Sequence, residues 1–159
     1  MKKLIPLLLA LVLCVSILSA CSAKETSAPH AHEDLTIRIP VDYIDLSDEE
    51  FAEGLSFLYG LDPIAVNGLR EEKATFEAYG LELNLESYGK FLCMSNNVSS
   101  QLEQTNGIWT FSYEARGYTY VVTLWETEEA FWAVQAYCPT ESYTKVSSQM
   151  WEILSSVTV

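Results

Sequence analysis

The chain has 159 residues and carries 9 lysines and arginines against 22 aspartates and glutamates, a formal net charge of −13. So acidic a chain excludes nucleic acid and anionic lipid headgroups as partners held by charge, because both require clustered cations. With two histidines and four cysteines, it lacks the material of a dense disulfide framework or a histidine-rich metal centre, and no cofactor is expected.

Lys2 and Lys3 open the chain, an apolar run follows from Leu4 to Leu18, and the small residues Ser19 and Ala20 precede Cys21. This is the layout of a secretory signal peptide over residues 1–20. The run is shorter than the roughly 20 apolar residues of a spanning helix and contains Pro6. Leu18-Ser19-Ala20-Cys21 resembles the bacterial lipobox, which implies that the leader is removed and that Cys21 carries fatty acyl chains such as palmitate. Two acyl chains anchor stably where one binds only marginally. The expectation is a lipoprotein on the extracytoplasmic face of the cell membrane, with membrane contact through the lipid on Cys21. Loss of Lys2 and Lys3 with the leader takes the net charge to −15.

Residues 22–34, SAKETSAPHAHED, have alanine as their only apolar type and a central proline. They cannot bury enough surface to order themselves, so 21–34 is expected to be a lipidated tether. His30, His32, Glu33 and Asp34 lie in it as loose metal-ligand types. Such a tract lacks the outer shell that orients ligands, and no metal site is expected.

Residues 35–159 have the size of one domain. Leu35, Ile37 and Ile39 alternate with polar residues up to Pro40, a first strand. Ser47 with Glu50 reads as a capping box opening a short helix with Phe51 and Leu55 on one face. Apolar periodicity through Leu58 permits a longer helix, whereas Gly54 and Tyr59-Gly60-Leu61-Asp62-Pro63 suggest a strand and turn, and a strand from Ile64 to Arg70 follows. Asn84 caps a helix from Leu85 to about Asn96, with Leu85, Tyr88, Leu92 and Cys93 on the buried side. Asn106-Gly107 is a hairpin turn between strands at Ser99–Glu103 and Ile108–Glu114. Arg116-Gly117 turns into a strand at Tyr118–Trp125, and another runs from Ala130 to Cys138. Pro139 ends the sheet, Thr140 caps a last helix with Tyr143, Val146, Met150 and Leu154 at helical spacing, and Val157–Val159 closes extended. The strand Ala130–Cys138 is apolar on both faces, Phe131, Ala133 and Tyr137 against Trp132, Val134 and Ala136, which calls for helices on both sides. The class is α+β, an antiparallel sheet flanked by helices.

Cys93 and Cys138 remain in the folded part once Cys14 leaves and Cys21 is acylated. Outside the cytoplasm they could pair, but both sit in apolar runs, and two buried thiols are the favoured reading.

Residues 35–159 contain no histidine, so a Ser-His or Cys-His nucleophile pair is excluded there, and no catalytic residues are expected. Asp42, Asp45, Asp48, Glu49 and Glu50 lack the spacing and turn glycine of a calcium loop. Paired carboxylates stay open only because acids are so numerous. Trp109, Phe111 and Tyr113 share a strand face, with Trp125 and Trp132 near the next turn. These five aromatics are the candidate ligand or partner face, against the reading that they fill the core, which is favoured.

The run GYTYVVTLWETEEAFWAVQAYCPTESYTKVSSQMWEILSSVTV resembles the closing β-β-α unit of PsbP-like domains, the α/β/α sandwich shared by photosystem II PsbP proteins, Ran-binding Mog proteins and bacterial DcrB-type lipoproteins. LNLESYGKFLCMSNNV looks like the helix that precedes it. The likeness covers Leu83 to Val159, and also Leu35 to Pro40. It implies a PsbP-like α/β/α sandwich and carries over no catalytic residue, since members of this fold serve as binding and assembly modules on unrelated partners. The expectation is a non-enzymatic binding or assembly module with an envelope protein partner. The alternative is a carbohydrate- or small-ligand-binding lipoprotein using aromatics and carboxylates.

Overall fold

The computed structural model describes residues 26–99 and 101–159. The leader and the lipid attachment expected at Cys21 lie outside them. The strands are β1 (Ser27–His32), β2 (Leu35–Pro40), β3 (Ile44–Asp45), β4 (Phe57–Leu61), β5 (Ile64–Glu72), β6 (Glu103–Thr105), β7 (Ile108–Ala115), β8 (Tyr118–Glu126) and β9 (Ala130–Pro139). The helices are α1 (Lys73–Ala78), α2 (Leu85–Ser95) and α3 (Tyr143–Leu154). A seven-stranded sheet in the order β3-β4-β5-β9-β8-β7-β6 has antiparallel neighbours throughout, and β1 and β2 form a separate hairpin.

Each face of the sheet has its own core. On one, Leu35, Ile37 and Ile39 of β2 and Met150, Ile153 and Leu154 of α3 close over Trp132, Val134, Ala136 and Cys138 of β9. On the other, Phe76 of α1 and Tyr88 and Cys93 of α2 close over Phe111, Val122, Leu124 and Phe131. The alternation of β9 therefore feeds two cores, as its doubly apolar sequence predicts. The architecture is the expected α+β sandwich. Cys93 and Cys138 are free and buried, in different cores on opposite faces of the sheet.

Local chemistry explains most element ends. Asn106 and Gly107 have φ of 52° and 85°, and Arg116 and Gly117 have 52° and 83°, the paired positive values of a two-residue hairpin turn. The Asn84 side chain accepts from the Ser87 amide at 2.9 Å while the Ser87 hydroxyl accepts from the Asn84 amide at 2.8 Å, a reciprocal cap for α2.

Several expectations are corrected. Residues 27–32 are not a free tether: they pair with β2 from Ser27↔Pro40 to His32↔Leu35. β1 has one ladder neighbour, the edge setting that tolerates a proline such as Pro29. It is held by β2 and by Tyr59, and the turn that follows it is pinned by Asp34, whose carboxylate accepts from Arg70, Thr127 and Trp132. Ser47 opens no capped helix. Its hydroxyl donates to Asp45 at 2.6 Å and accepts from the Leu58 amide at 2.9 Å, tying β3 to β4. Only a 3-10 turn forms, at Glu50–Ala52, with no side-chain cap. β6 begins at Glu103, later than expected, and α1 was not foreseen. Thr140 starts a 3-10 turn (Thr140–Ser142), so α3 begins at Tyr143. The C-terminal extension is a bridge, Thr36↔Thr158.

Candidate functional site: an open tyrosine face

The five aromatics proposed as one face are divided between the two sides of the sheet. Trp132 is wholly buried and Trp125 half-buried in the β2 and α3 core, whereas Trp109, Phe111 and Tyr113 belong to the α1 and α2 core. The register requires this: Trp109 faces Leu124, so Trp125, the next residue, points to the opposite side. Trp132 also spends its indole N–H on Asp34 at 2.8 Å, and Trp125 donates to Thr123 at 3.1 Å. Of the five, Phe111 and Tyr113 lead to an open surface.

That surface is built by register. The ladder aligns Tyr113↔Tyr120 and Tyr120↔Tyr137, so three tyrosines from β7, β8 and β9 stand in one row. Their rings stack on each other, Tyr113 on Tyr120 at 4.7 Å and 5°, Tyr120 on Tyr137 at 5.2 Å and 26°. Tyr118, 41% exposed, meets Tyr137 edge-on at 6.0 Å. Because each neighbour covers a face of Tyr120, the row offers ring edges and hydroxyl tips outward, the electropositive rim of the rings. None of the three hydroxyls hydrogen-bonds a described residue. Burial, reinforced by the adjacent Tyr120 phenol, pushes the pKa of Tyr113 and of Tyr137 up, which keeps both protonated as donors at neutral pH.

The adjacent row across the sheet is Phe111↔Val122↔Gln135↔Asn67. Here, beside the C-terminal end of α2, lies a pocket of about 180 Å³ with walls including Leu55, Leu69, Leu92 and Phe111. Asn67 and Gln135, side by side on β5 and β9, are its polar groups, with Asn96 at the helix end. Asn96 is committed to the Leu92 carbonyl at 2.9 Å. The Asn67 side chain, only 6% exposed, and that of Gln135 make no hydrogen bond to a described residue. No charged residue lines the pocket.

Two polar clusters near the sheet are committed internally. Arg70 is held by Glu33, Asp34 and Glu72, and Tyr88 donates to Glu71 at 2.6 Å. His30 and His32 lie in a folded strand, not in a tether. Their Nδ1 and Nε2 atoms approach the Tyr59 hydroxyl at 3.2 and 3.3 Å, and His32 stacks on Phe57 at 4.4 Å. Among the described residues no group of three or more metal-ligating side chains is placed to hold an ion.

The tyrosine row is absent from the sequence expectation although its signal is present. A two-residue turn at Arg116-Gly117 sets Tyr113 opposite Tyr120, and Tyr118 and Tyr120 alternate on one face.

By sequence the chain matches no known protein family and no curated protein. Its fold is similar to that of cyanobacterial PsbP (CyanoP) from Synechocystis sp. PCC 6803, with a TM-score of 0.59 at 10% identity over 90% of this chain and 99% of that one. A crystal structure from Bacteroides thetaiotaomicron VPI-5482 is similar at a TM-score of 0.50 and 14% identity, over 84% of this chain and 48% of that one. The fold is therefore PsbP-like.

Proposed function

We propose that this chain is a non-enzymatic binding or assembly module, held by lipid on Cys21 at the extracytoplasmic face of the cell membrane, and that it docks an envelope protein on the tyrosine face. The observation that carries the reading is the row Tyr113-Tyr120-Tyr137, in register and partly open, beside a pocket whose Asn67 side chain makes no hydrogen bond to a described residue. Tyrosine supplies large, rigid, amphipathic contact at low entropic cost and is enriched at protein interfaces. A platform for sugars is disfavoured, because stacking on a sugar needs ring faces and those of Tyr120 are covered by its neighbours. Hydrolysis is disfavoured as well: Asp34 is engaged by three donors, which suits a structural carboxylate and not a proton shuttle.

Two measurements test the reading. A photoreactive residue at Tyr118 and one at Tyr120 should trap the same protein in intact cells, and one at Glu152 on the opposite layer should not. Trapping from all three positions alike, or from none, overturns the docking face. Cys21→Ala should abolish incorporation of labelled fatty acid, and undiminished labelling refutes the anchor.

A further inference from the structure

We infer that the pocket between α2 and β5, β9, β8 and β7 takes a carboxamide side chain, glutamine or asparagine, from a peptide segment lying on the tyrosine row. The inference rests on the docking face proposed above and names the chemistry it reads. Three observations carry it. First, Asn67 is 94% buried yet makes no hydrogen bond, and Gln135 beside it is equally unengaged. Their polar atoms still reach solvent, so a ligand must replace water on them, and a group that donates and accepts at once does so without leaving either amide unpaired. Two adjacent amides present both donors and acceptors, which a planar carboxamide complements and an alkyl group does not.

Second, the pocket has no charged lining residue. A carboxylate entering it would lose water with no cation in return, and an ammonium would find no anion. The site therefore separates glutamine from glutamate although their shapes are nearly the same. Discrimination of this kind is strong where the site's own polar groups would otherwise be left unpaired.

Third, the space is about 180 Å³, the share of some six waters at ~30 Å³ each. That suits one side chain with its apolar stem against Leu55, Leu69, Leu92 and Phe111. The three tyrosine hydroxyls next to it are unengaged, and each can donate to or accept from a peptide backbone. An acetamido sugar carries the same amide group, but both faces of the central Tyr120 are covered by its neighbours, so a peptide source is favoured.

Nuclear magnetic resonance on the whole domain tests this through the side-chain NH₂ signals of Asn67 and Gln135. The probes are a capped glycine and serine peptide with one central glutamine, its glutamate counterpart, and a trimer of N-acetylglucosamine. The glutamine peptide should shift both NH₂ pairs in a saturable way, with at least tenfold weaker binding for the glutamate peptide. Gln135→Leu should abolish the shift of the remaining Asn67 pair. Tyr120→Phe, which preserves the ring stack and removes one hydroxyl, should weaken binding several-fold and serves if Gln135→Leu perturbs the fold. Equal binding of the two peptides, saturation by the sugar trimer alone, or no shift with any probe overturns the inference. If the trapping from Tyr118 persists while the glutamine peptide fails, the carboxamide reading falls and the docking face stands. If both fail, both fall.

Discussion

Asp34 accepts from Arg70 Nε at 3.2 Å, Thr127 Oγ1 at 2.5 Å and Trp132 Nε1 at 2.8 Å. Burial by itself would raise its pKa, but these donors and the guanidinium charge outweigh burial and hold it at about 2. The folded value is lower than the ordinary 3.8, so the unfolded chain binds the proton more readily. The stability contributed by Asp34 is complete above pH 4 or so and drains away as pH falls toward about 2. Asp34→Ala should cost roughly 1–3 kcal/mol in urea unfolding, the penalty of leaving buried donors short of an acceptor. Asp34→Asn keeps an acceptor for Trp132 but removes the titration, so its acid limb should flatten. An unaltered acid limb in Asp34→Asn would refute the assignment. His32 behaves in the same sense at higher pH. Burial lowers its pKa from 6.5, the neighbouring His30 adds to the effect, and Asp45 opposes it. Folding therefore favours the neutral ring, and stability should decline as pH falls below 6.5. His32→Phe, which can keep the stack on Phe57, should remove that slope; a wild-type slope in the variant would exclude His32 as its source.

Gly68 and Asn84 show why one element can be read from its residues and another cannot. A Cβ at Gly68 would sit 2.2 Å from Cε1 and 2.6 Å from Cζ of Phe57, a ring with no exposed surface to move into. Gly68→Ala should cost about 1–3 kcal/mol or more through overpacking, although alanine limits the unfolded backbone more than glycine. A midpoint in urea equal to wild type would contradict it. Asn84→Ala should cost about 1 kcal/mol by removing a cap, read from the same curve. The start of α2 at Asn84 and the turns at Asn106-Gly107 and Arg116-Gly117 were legible because each is fixed by contacts within a few residues. The six-residue α1 has no side-chain cap at Glu72 and forms against Phe131 and Tyr88, so nothing local announces it. Ser47 misled for the opposite reason: a valid capping pattern was present, and its hydroxyl went to a neighbouring strand.

At the scale of the molecule, the layer order was legible from the doubly apolar β9, while the face that carries the proposed site was not. The pocket adds β5 and α2 to the consecutive strands β7, β8 and β9, and Tyr137 joins Tyr120 through the β8 and β9 register, which no short turn motif fixes. The N-terminal boundary moved for a related reason, since β1 is ordered by β2, Tyr59 and Arg70 and not by its own composition. With β1 starting at Ser27, an anchor at Cys21 would leave a reach of only about 20 Å when extended, and the domain would work close to the membrane surface. A sharper consequence follows for stability. A chain begun at Glu33 lacks the ladder partner of β2 and both histidines that meet Tyr59 while retaining Asp34, whereas one begun at Thr26 keeps them all. The shorter chain should be less stable by about 2–4 kcal/mol, several net hydrogen bonds at ~1 kcal/mol each. The loss falls on the layer of β2 and α3, while the tyrosine row and the pocket lie across the sheet, against α2. At low temperature, where both chains are folded, the NH₂ signals of Asn67 and Gln135 should therefore coincide in the two. Equal unfolding midpoints would mean that β1 adds nothing to the fold, and displaced NH₂ signals would mean that the two layers are not independent.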